Sequence, residues 1–490
     1  MLNIGIQFSE RNFEYDVYSL VRAFYPAGNV QMYVPGEEEP AGEFECLITI
    51  GYRSDGIDCR ISVSGEEKFC GKTDVDFYEN RPETKNRLKQ LVYRGLSEVS
   101  KRTLPWGTLT GIRPTKIPMH LLEEGWKNPQ IAEYMRSTYY SGNEKTALAI
   151  AIANRERAIL KDIDYENGYS LYVGIPFCPS ICLYCSFGSH PLSKWRDRME
   201  EYLDALLREI SFVGREFRDK KLNTIYIGGG TPTTLEPRQM RRLLHHITEC
   251  FDLQDLQEFT VEAGRPDSIT EEKLMVLREF PVNRISINPQ TMHQKTLDLI
   301  GRGHTVEQVR DAFALARKLS FDNINMDLII GLPGEGKDEV KETLREIESL
   351  HPDSITVHSL SLKRATRLHL FKDQYEEISF ENSQEIMEMA EKSAGSLDMY
   401  PYYLYRQKNI AGNFENVGYA KVDKAGIYNI LIMEEKQSIL AVGAGASTKL
   451  VFDHGRRIER VENVKDVTHY ISRIDEMIER KKTGIEKWLK

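Results

Sequence analysis

The sequence predicts an α/β protein: an incomplete (β/α)6 barrel preceded by an N-terminal α+β domain. Three observations predict it. From about residue 168, six apolar strand-like segments alternate with helical patterns, as parallel strands joined by crossover helices require. Residues 1–110 are mostly strand-like and are punctuated by turn signals. Three cysteines, Cys178, Cys182 and Cys185, follow the first barrel strand directly, and barrels gather their ligands at strand C-terminal ends.

In the N-terminal part, segments 2–8, 30–34, 45–52 and 56–63 alternate or run apolar and read as strands, with turns at Pro35-Gly36 and Asp55-Gly56. A helix follows over 83–101, where Leu88, Leu91, Val92, Leu96 and Val99 recur close to a 3.6 period. The Gly/Pro-rich loop Pro105-Trp-Gly-Thr-Leu-Thr-Gly-Ile-Arg-Pro-Thr-Lys116 carries two cations, Arg113 and Lys116. They read as solvated loop cations, with contact to an acidic substrate as the other reading. Helical stretches at 117–124, 128–135 and 143–161 lead into the cysteine loop. The expected domains are therefore 1–165, an α+β domain whose role the sequence does not disclose; 166–375, the partial barrel; and 376–490, a helical/mixed extension packing on the barrel.

The barrel strands are expected at 170–175, 224–227, 258–262, 284–287, 323–330 and 354–358, with helices at 195–217, 236–249, 270–280, 305–319 and 337–350. Polar residues recur at their ends. Gly228-Gly-Gly-Thr-Pro232 follows the second strand, Glu262 ends the third, and Gln290 follows the fourth. Arg302 lies in Ile300-Gly-Arg-Gly-His304, and Asp327 sits within the fifth strand. Glycines there let a ligand approach bare backbone, and they also suit an ordinary tight βα turn. A carboxylate in an apolar strand is costly unless paired or hydrogen-bonded. Singly, each has a plain structural explanation. Together they describe one polar site facing the cysteines.

Length allows two or three domains with proper cores, and 41% hydrophobic residues make the chain globular. The net charge of −9 is spread along the sequence, which argues against a nucleic-acid surface. No apolar run approaches the roughly 18 residues that span a bilayer. The N-terminus lacks a basic n-region and a long apolar h-region, so the expected location is cytoplasmic. Cys46, Cys59, Cys70 and Cys250 have no tight C-x2-C partner and read as unpaired thiols in a reducing compartment.

Three thiolates cannot complete a tetrahedral structural zinc site, which needs four ligands. They can hold three irons of a cubic [4Fe–4S] cluster and leave the fourth open to a small chelating ligand. Taken alone, the C-x3-C-x2-C spacing also admits three clustered buried or zinc-bound cysteines.

With Tyr184 two residues after the middle cysteine, the motif resembles that of the radical S-adenosylmethionine (SAM) superfamily. Tyr-Val-x-Ile-Pro-Phe-Cys, Gly-Gly-Gly-Thr-Pro, Glu262, Gln290, Arg302 and Asp-Leu-Ile-x-Gly-Leu-Pro, over roughly 168–450, together resemble the oxygen-independent coproporphyrinogen III oxidase-like family. The N-terminal extension, Val-Glu-Ala-Gly-Arg-Pro and Pro401-Tyr-Tyr-Leu-Tyr-Arg-Gln-Lys-Asn look most like its HemZ-type branch. The resemblance implies a [4Fe–4S] cluster on Cys178, Cys182 and Cys185, with SAM chelating the open iron. It implies SAM contacts from Tyr172, Tyr184, Gly229, Gly230, Thr231, Glu262, Gln290, Arg302, Asp327 and Ser361, with the 443–447 loop nearby.

The implied reaction is oxidative decarboxylation of two propionates of coproporphyrinogen III, begun by a 5′-deoxyadenosyl radical, in an anaerobic or microaerobic setting. The implied partners are a tetrapyrrole substrate and an electron donor such as flavodoxin or ferredoxin. Propionates call for cations, and Lys363, Arg364 and Arg367 lie just after strand six, with Arg406 and Lys408 as further candidates. A solvated basic helix start is the other reading of that run.

Departures from the family pattern bear on this. Gly174 stands where oxidases of the family commonly carry His. Roughly 43 residues follow Ser447, with an amphipathic helix over 467–485, so the family's larger C-terminal domain is expected to be missing. Related haem chaperones use a His-Asn pair where this chain has Gln407-Lys408-Asn409. A haem-binding chaperone, and a radical SAM enzyme acting on haem or another tetrapyrrole, are the alternatives.

Overall fold

The alternating N-terminal segments form a five-stranded sheet in the computed structural model, which describes all residues except 1, 38–39, 41, 76–79, 187, 362–381, 408–413 and 490. In chain order these elements are β1 (Asn3–Phe8), α1 (Glu14–Phe24), β2 (Asn29–Tyr33), β3 (Cys46–Arg53), β4 (Gly56–Val63), β5 (Glu66–Asp74) and α2 (Arg81–Ser100). The sheet order is β2-β1-β3-β4-β5, with β1 parallel to both neighbours and the last three strands antiparallel. Ile4, Ile6 and Phe8 of β1, Val17, Leu20, Val21 and Phe24 of α1, and Leu88, Leu91, Val92 and Leu96 of α2 share one core. Asn80 starts α2 by accepting the Glu83 N–H at 3.1 Å.

Two of these elements, α1 and β5, were not expected. The apolar residues of α1 do follow a helical period. β5 has almost no apolar alternation because it is an edge strand exposed along most of its length. Its one signal is the turn Ser64-Gly65, where both residues have positive φ (49° and 81°), as a tight hairpin demands.

Three helices follow, α3 (Lys116–Glu123), α4 (Asn128–Tyr139) and α5 (Asn143–Leu160). The chain divides into two compact units, residues 1–154 with 406–414, and residues 155–405 with 415–490.

In the second unit the expected parallel strands are β6 (Gly168–Ile175), β9 (Lys221–Gly229), β10 (Glu258–Glu262), β11 (Arg284–Ser286), β12 (Ile324–Ile330) and β13 (Ser354–Ser359). Two short strands, β7 (Phe177–Cys178) and β8 (His190–Pro191), pair with each other after β6. The crossover helices include α6 (Met199–Glu216), α7 (Pro237–Cys250), Val306–Lys318 and Lys337–Leu350. These strands form a partial parallel barrel. Its sheet is wider than six strands, because the C-terminal part adds to both edges. β14 (Tyr400–Tyr405) and β15 (Asn416–Ala420) extend the β13 edge antiparallel, and β16 (Ser438–Val442) joins β6 in parallel, followed by β17 (Ser447–Phe452) and β18 (Arg457–Glu462). A run such as Ser-Ile-Leu-Ala-Val, buried on both faces, has no period that separates strand from helix. The expected C-terminal amphipathic helix is two helices, Val467–Ser472 and Ile474–Leu489.

The two-residue period of the strands decides what the barrel presents. Leu171, Val173, Ile225, Ile227, Phe259, Val261, Ile285, Ile355 and Val357 are buried on one face. The opposite positions are polar and bond to one another across strands. Thr224 donates to Ser170 Oγ at 2.7 Å, Arg284 to Ser354 Oγ at 2.9 Å, and Ser354 to Asn325 Oδ1 at 3.1 Å, while within β12 Asn325 donates to Asp327 Oδ1 at 2.7 Å. Among the described residues, no helix is long and apolar enough to cross a membrane.

A buried ion pair ties the C-terminal helix to the barrel. Lys481 Nζ and Glu209 Oε1 are 3.2 Å apart, and both side chains are 0% exposed. Glu209 also accepts from Tyr470 Oη, Asn463 Nδ2 and the Gly443 N–H, at 2.6, 2.8 and 2.9 Å. Lys481 donates to Ala441 O and Thr448 Oγ1 at 2.9 and 3.1 Å. Removing one partner strands the other charge in a low-dielectric site. Lys481→Met is expected to cost about 3 kcal/mol in denaturant unfolding, and Glu209→Gln in the same chain should restore part of that loss.

Candidate functional site

The cysteine loop is held by backbone bonds at both ends. Gly230 N–H donates to Ile175 O and Thr231 N–H to Phe177 O, each at 2.7 Å. On the other side Leu183 N–H donates to Ile300 O at 2.9 Å, and Ser180 Oγ to Gly301 O at 2.9 Å. A side chain is not tolerated at 230, where a Cβ would lie 2.6 Å from Phe177 O. At 229 the backbone has φ +108°, open to glycine and little else. The three glycines thus serve the turn and the cysteine loop together.

Thr231 Oγ1 donates to Cys178 Sγ at 3.4 Å. The Cys178 thiol is pushed up by burial foremost, against the Thr231 bond, with smaller contributions from Cys185 and Cys182. Cys182 is buried, whereas Cys178 and Cys185 are half-buried. Among the described residues, no three His, Cys, Asp or Glu side chains converge on a single metal-ion position. A cubane asks for no such point, because each thiolate binds its own iron. Three thiols on one loop are a donor set that an iron–sulfur cluster takes.

Two buried arginines face Cys182. Arg302 Nη1 lies 3.9 Å from its sulfur and donates to Tyr184 Oη at 3.0 Å, while Nη2 donates to Gly264 O and Asn288 O at 2.7 and 2.5 Å. Most of its guanidinium thus braces the loop, and Nε is left buried without a hydrogen-bond partner. Arg265, which sequence reasoning did not single out, approaches the same sulfur at 3.9 Å. Its only sequence signal was its place in Val-Glu-Ala-Gly-Arg-Pro. Burial first, then the charges of Arg302 and Arg265, push the nearby His304 down to about 3, so it is neutral.

The polar barrel face supplies the second group. Tyr172 is half-buried in a stack with Tyr226 and Tyr428, with ring centroids 6.3, 6.4 and 4.5 Å apart. Tyr226 donates a hydrogen bond to Glu262. The Glu262 carboxyl is pushed up to about 7, by burial foremost and by the charge of Asp327, against the Tyr226 bond. Burial also pushes Asp327 up, yet bonds and charge from His358, with bonds from Asn325 and Thr356, bring it below its ordinary range. Gln290 sits beside Asp327, its N–H donating to Asp327 O at 3.0 Å and its O accepting from Ile329 N–H at 2.9 Å. It has a left-handed backbone, φ 69°, and its Oε1 is buried with no hydrogen-bond partner. Backbone strain of this kind clusters at functional sites.

The structure thus brings Cys178, Cys182, Cys185, Tyr184, Thr231 and Arg302 together, and Tyr172, Glu262, Asp327 and Gln290 in a second group. Gly228 lies against Glu262, where a Cβ would be 3.2 Å from its Cδ. Ser361 is half-buried just past β13. Lys363, Arg364, Arg367 and Lys408 lie outside the described residues. Arg406 belongs to the first unit, donating to Leu109 O at 2.6 Å with its guanidinium 5.8 Å from the Trp106 ring. Gly174, where a His was the family expectation, faces Val442: a Cβ would be 3.3 Å from Val442 O.

The radical SAM superfamily profile matches residues 172–347. The oxygen-independent coproporphyrinogen-III oxidase-like protein HemZ of Bacillus subtilis (strain 168) is 39% identical over 459 residues, 91% of this chain and 91% of that one. The heme chaperone HemW of Lactococcus lactis is 33% identical over 65% of this chain and 79% of its own. The solved structure of coproporphyrinogen III oxidase (HemN) from Escherichia coli shares the fold, with a TM-score of 0.51 and 22% identity over 66% of this chain and 73% of that chain.

Glu262 makes stability pH-dependent. Its folded pKa, about 7, lies above the ordinary 4.5. Between these values the folded state holds a proton that the unfolded state has lost, so stability falls as pH rises from 4.5 to 7 and is level above. The penalty at full ionisation is about 3 kcal/mol. Glu262→Gln should therefore gain in Tm over wild type at pH 7.5 relative to pH 5 in ligand-free protein. An equal difference at both pH values would contradict the assignment.

Proposed function

We propose, from the premise that this chain belongs to the radical SAM family of oxygen-independent coproporphyrinogen-III oxidase-like proteins, that it is an oxidoreductase converting coproporphyrinogen III to protoporphyrinogen IX. The observation that carries the cofactor reading is the grouping of three thiols at the end of β6, beneath the Gly229–Thr231 turn and beside two buried arginines. The substrate reading rests on similarity along nearly the whole chain to a relative whose name specifies coproporphyrinogen.

Cys178, Cys182 and Cys185 would hold a [4Fe–4S] cluster, and Gly229, Gly230, Thr231, Glu262, Gln290 and Asp327 would hold the polar groups of SAM, with Tyr172, Tyr184, Arg302 and Ser361 framing the site. Bound there, cluster and SAM would supply one-electron chemistry for oxidising a propionate side chain. The unsatisfied Gln290 Oε1 is an acceptor for an ammonium or hydroxyl group. Glu262, pushed up to about 7 by burial, would ionise more fully beside a cationic ligand, because an opposite charge favours the charged form. The stacked rings of Tyr172, Tyr226 and Tyr428 would shield the reacting groups from water. Lys363, Arg364 and Arg367 would bind propionates, and a low-potential electron donor such as flavodoxin or ferredoxin would serve the cluster.

The second reading, haem handling, is favoured by the similarity to HemW chaperones over 65% of the chain. An anaerobic assay of reconstituted protein with SAM, a reductant and coproporphyrinogen III separates the two. Formation of 5′-deoxyadenosine with loss of two CO2 supports the oxidase; stable haem transfer with neither product supports the chaperone. Cys182→Ala should abolish both products. Arg364→Ala with Arg367→Ala should spare SAM cleavage and weaken porphyrinogen binding at least tenfold, from two lost charge-assisted hydrogen bonds. Unchanged binding would remove the propionate role.

A further inference from the structure

Arg265 stands apart from the residues given to cluster or SAM, yet it is one of the more constrained groups in the second unit. Its side chain is 4% exposed, and Nε and Nη2 meet Asp267 at 2.9 and 2.8 Å. Nη1 is thereby aimed at the cysteine loop, 3.1 Å from Ser180 Oγ, 3.3 Å from Ser180 O and 3.9 Å from Cys182 Sγ. The Asp267 carboxylate is 17% exposed and offsets part of the guanidinium charge. Arg302, on the same sulfur, has no carboxylate partner among the described residues.

Taking up an electron makes an iron–sulfur cluster one unit more negative. Its potential responds to net charge, to hydrogen bonds on its sulfurs and to burial. A fixed cationic N–H beside a cluster sulfur, in a site drained of water, favours the reduced state. We propose that Arg265 sets the reduction potential of the cluster through Cys182, and that Asp267 trims its effect; the inference rests on the cluster assignment above. The equilibrium biased is transfer of one electron from a low-potential donor to the oxidised cluster, with no bond made or broken and no proton moved. Arg265 is a positioning and tuning residue. It touches a cluster ligand rather than substrate.

The two residues make opposite predictions, which a purely structural role does not. Full-length protein, reconstituted anaerobically without SAM or substrate, is titrated with dithionite through viologen mediators and read by electron paramagnetic resonance of the reduced cluster. In Arg265→Gln the reduced-to-oxidised ratio at the wild-type midpoint should fall about tenfold, a midpoint lowered by about 59 mV for a one-electron couple. In Asp267→Asn the ratio should rise. Iron and sulfide content establish that each variant holds a cluster; if Arg265→Gln does not, Arg265→Lys and Asp267→Asn decide the matter. Intact clusters with unmoved midpoints, or both variants shifting the same way, overturn the inference alone. A wild-type chain that binds no cluster overturns the cluster assignment and this inference with it.

Discussion

The cysteine loop depends on a close approach of two backbones. Gly230 and Thr231 give their N–H groups to Ile175 O and Phe177 O, and the Gly230 contact leaves no room for a Cβ. These two bonds dock the turn after β9 onto the strand that carries Cys178, which in turn places Thr231 Oγ1 on its sulfur. The far side of the loop is anchored to Ile300 and Gly301, and from that second anchor Arg302 reaches Tyr184 and Cys182. Much of the site's geometry follows from that docking.

The second constraint is the polar lining of the barrel. A closed eight-stranded barrel fills its interior with layers of branched apolar side chains. Here the corresponding face carries Glu258, Glu262, Arg284, Asn325 and Asp327, so it must be satisfied by hydrogen bonds or by ligand. Arg284 is met by Asn323, Ser354 and Lys424 O, and Glu258 by Thr260 and the Ile427 N–H. Those contacts complete the inner part of the face. Nearer the strand ends satisfaction is incomplete: burial pushes the Glu262 carboxyl up to about 7, and Gln290 keeps an unpaired oxygen on a strained backbone. Stability is lower there for the empty protein, and that is where a polar ligand gains most.

The C-terminal strands connect both constraints to the rest of the unit. β16 lies beside β6, and the loop after it presses on Gly174: a Cβ on Gly443 would come 2.5 Å from Gly174 O. Tyr202 bonds Gly174 O and Ala444 N–H, while Glu209 takes the Gly443 N–H. The Glu209–Lys481 pair is therefore joined to the loop beside Gly174 as well as to the C-terminal helix.

Local periodicity was enough to read the strand–helix alternation, because each barrel strand is a short buried apolar run bounded by a helix of clear 3.6 period. Spacing was enough to read the three cysteines, since one loop must bring them together. The chain by itself also marked Glu262, Gln290, Arg302 and Asp327 as polar residues at successive strand ends. It could not show that Arg302 spends most of its donors on the cysteine loop, or that Arg265 shares Cys182 with it, because those contacts cross 120 and 83 positions of sequence. Nor could it place 438–462 in the barrel sheet or reveal β5, since a strand buried on both faces and a charged edge strand both lack the two-residue pattern. Side-chain type and spacing are properties of the chain. Which donors face which acceptors is decided only when distant strands and loops are packed together and water has been excluded.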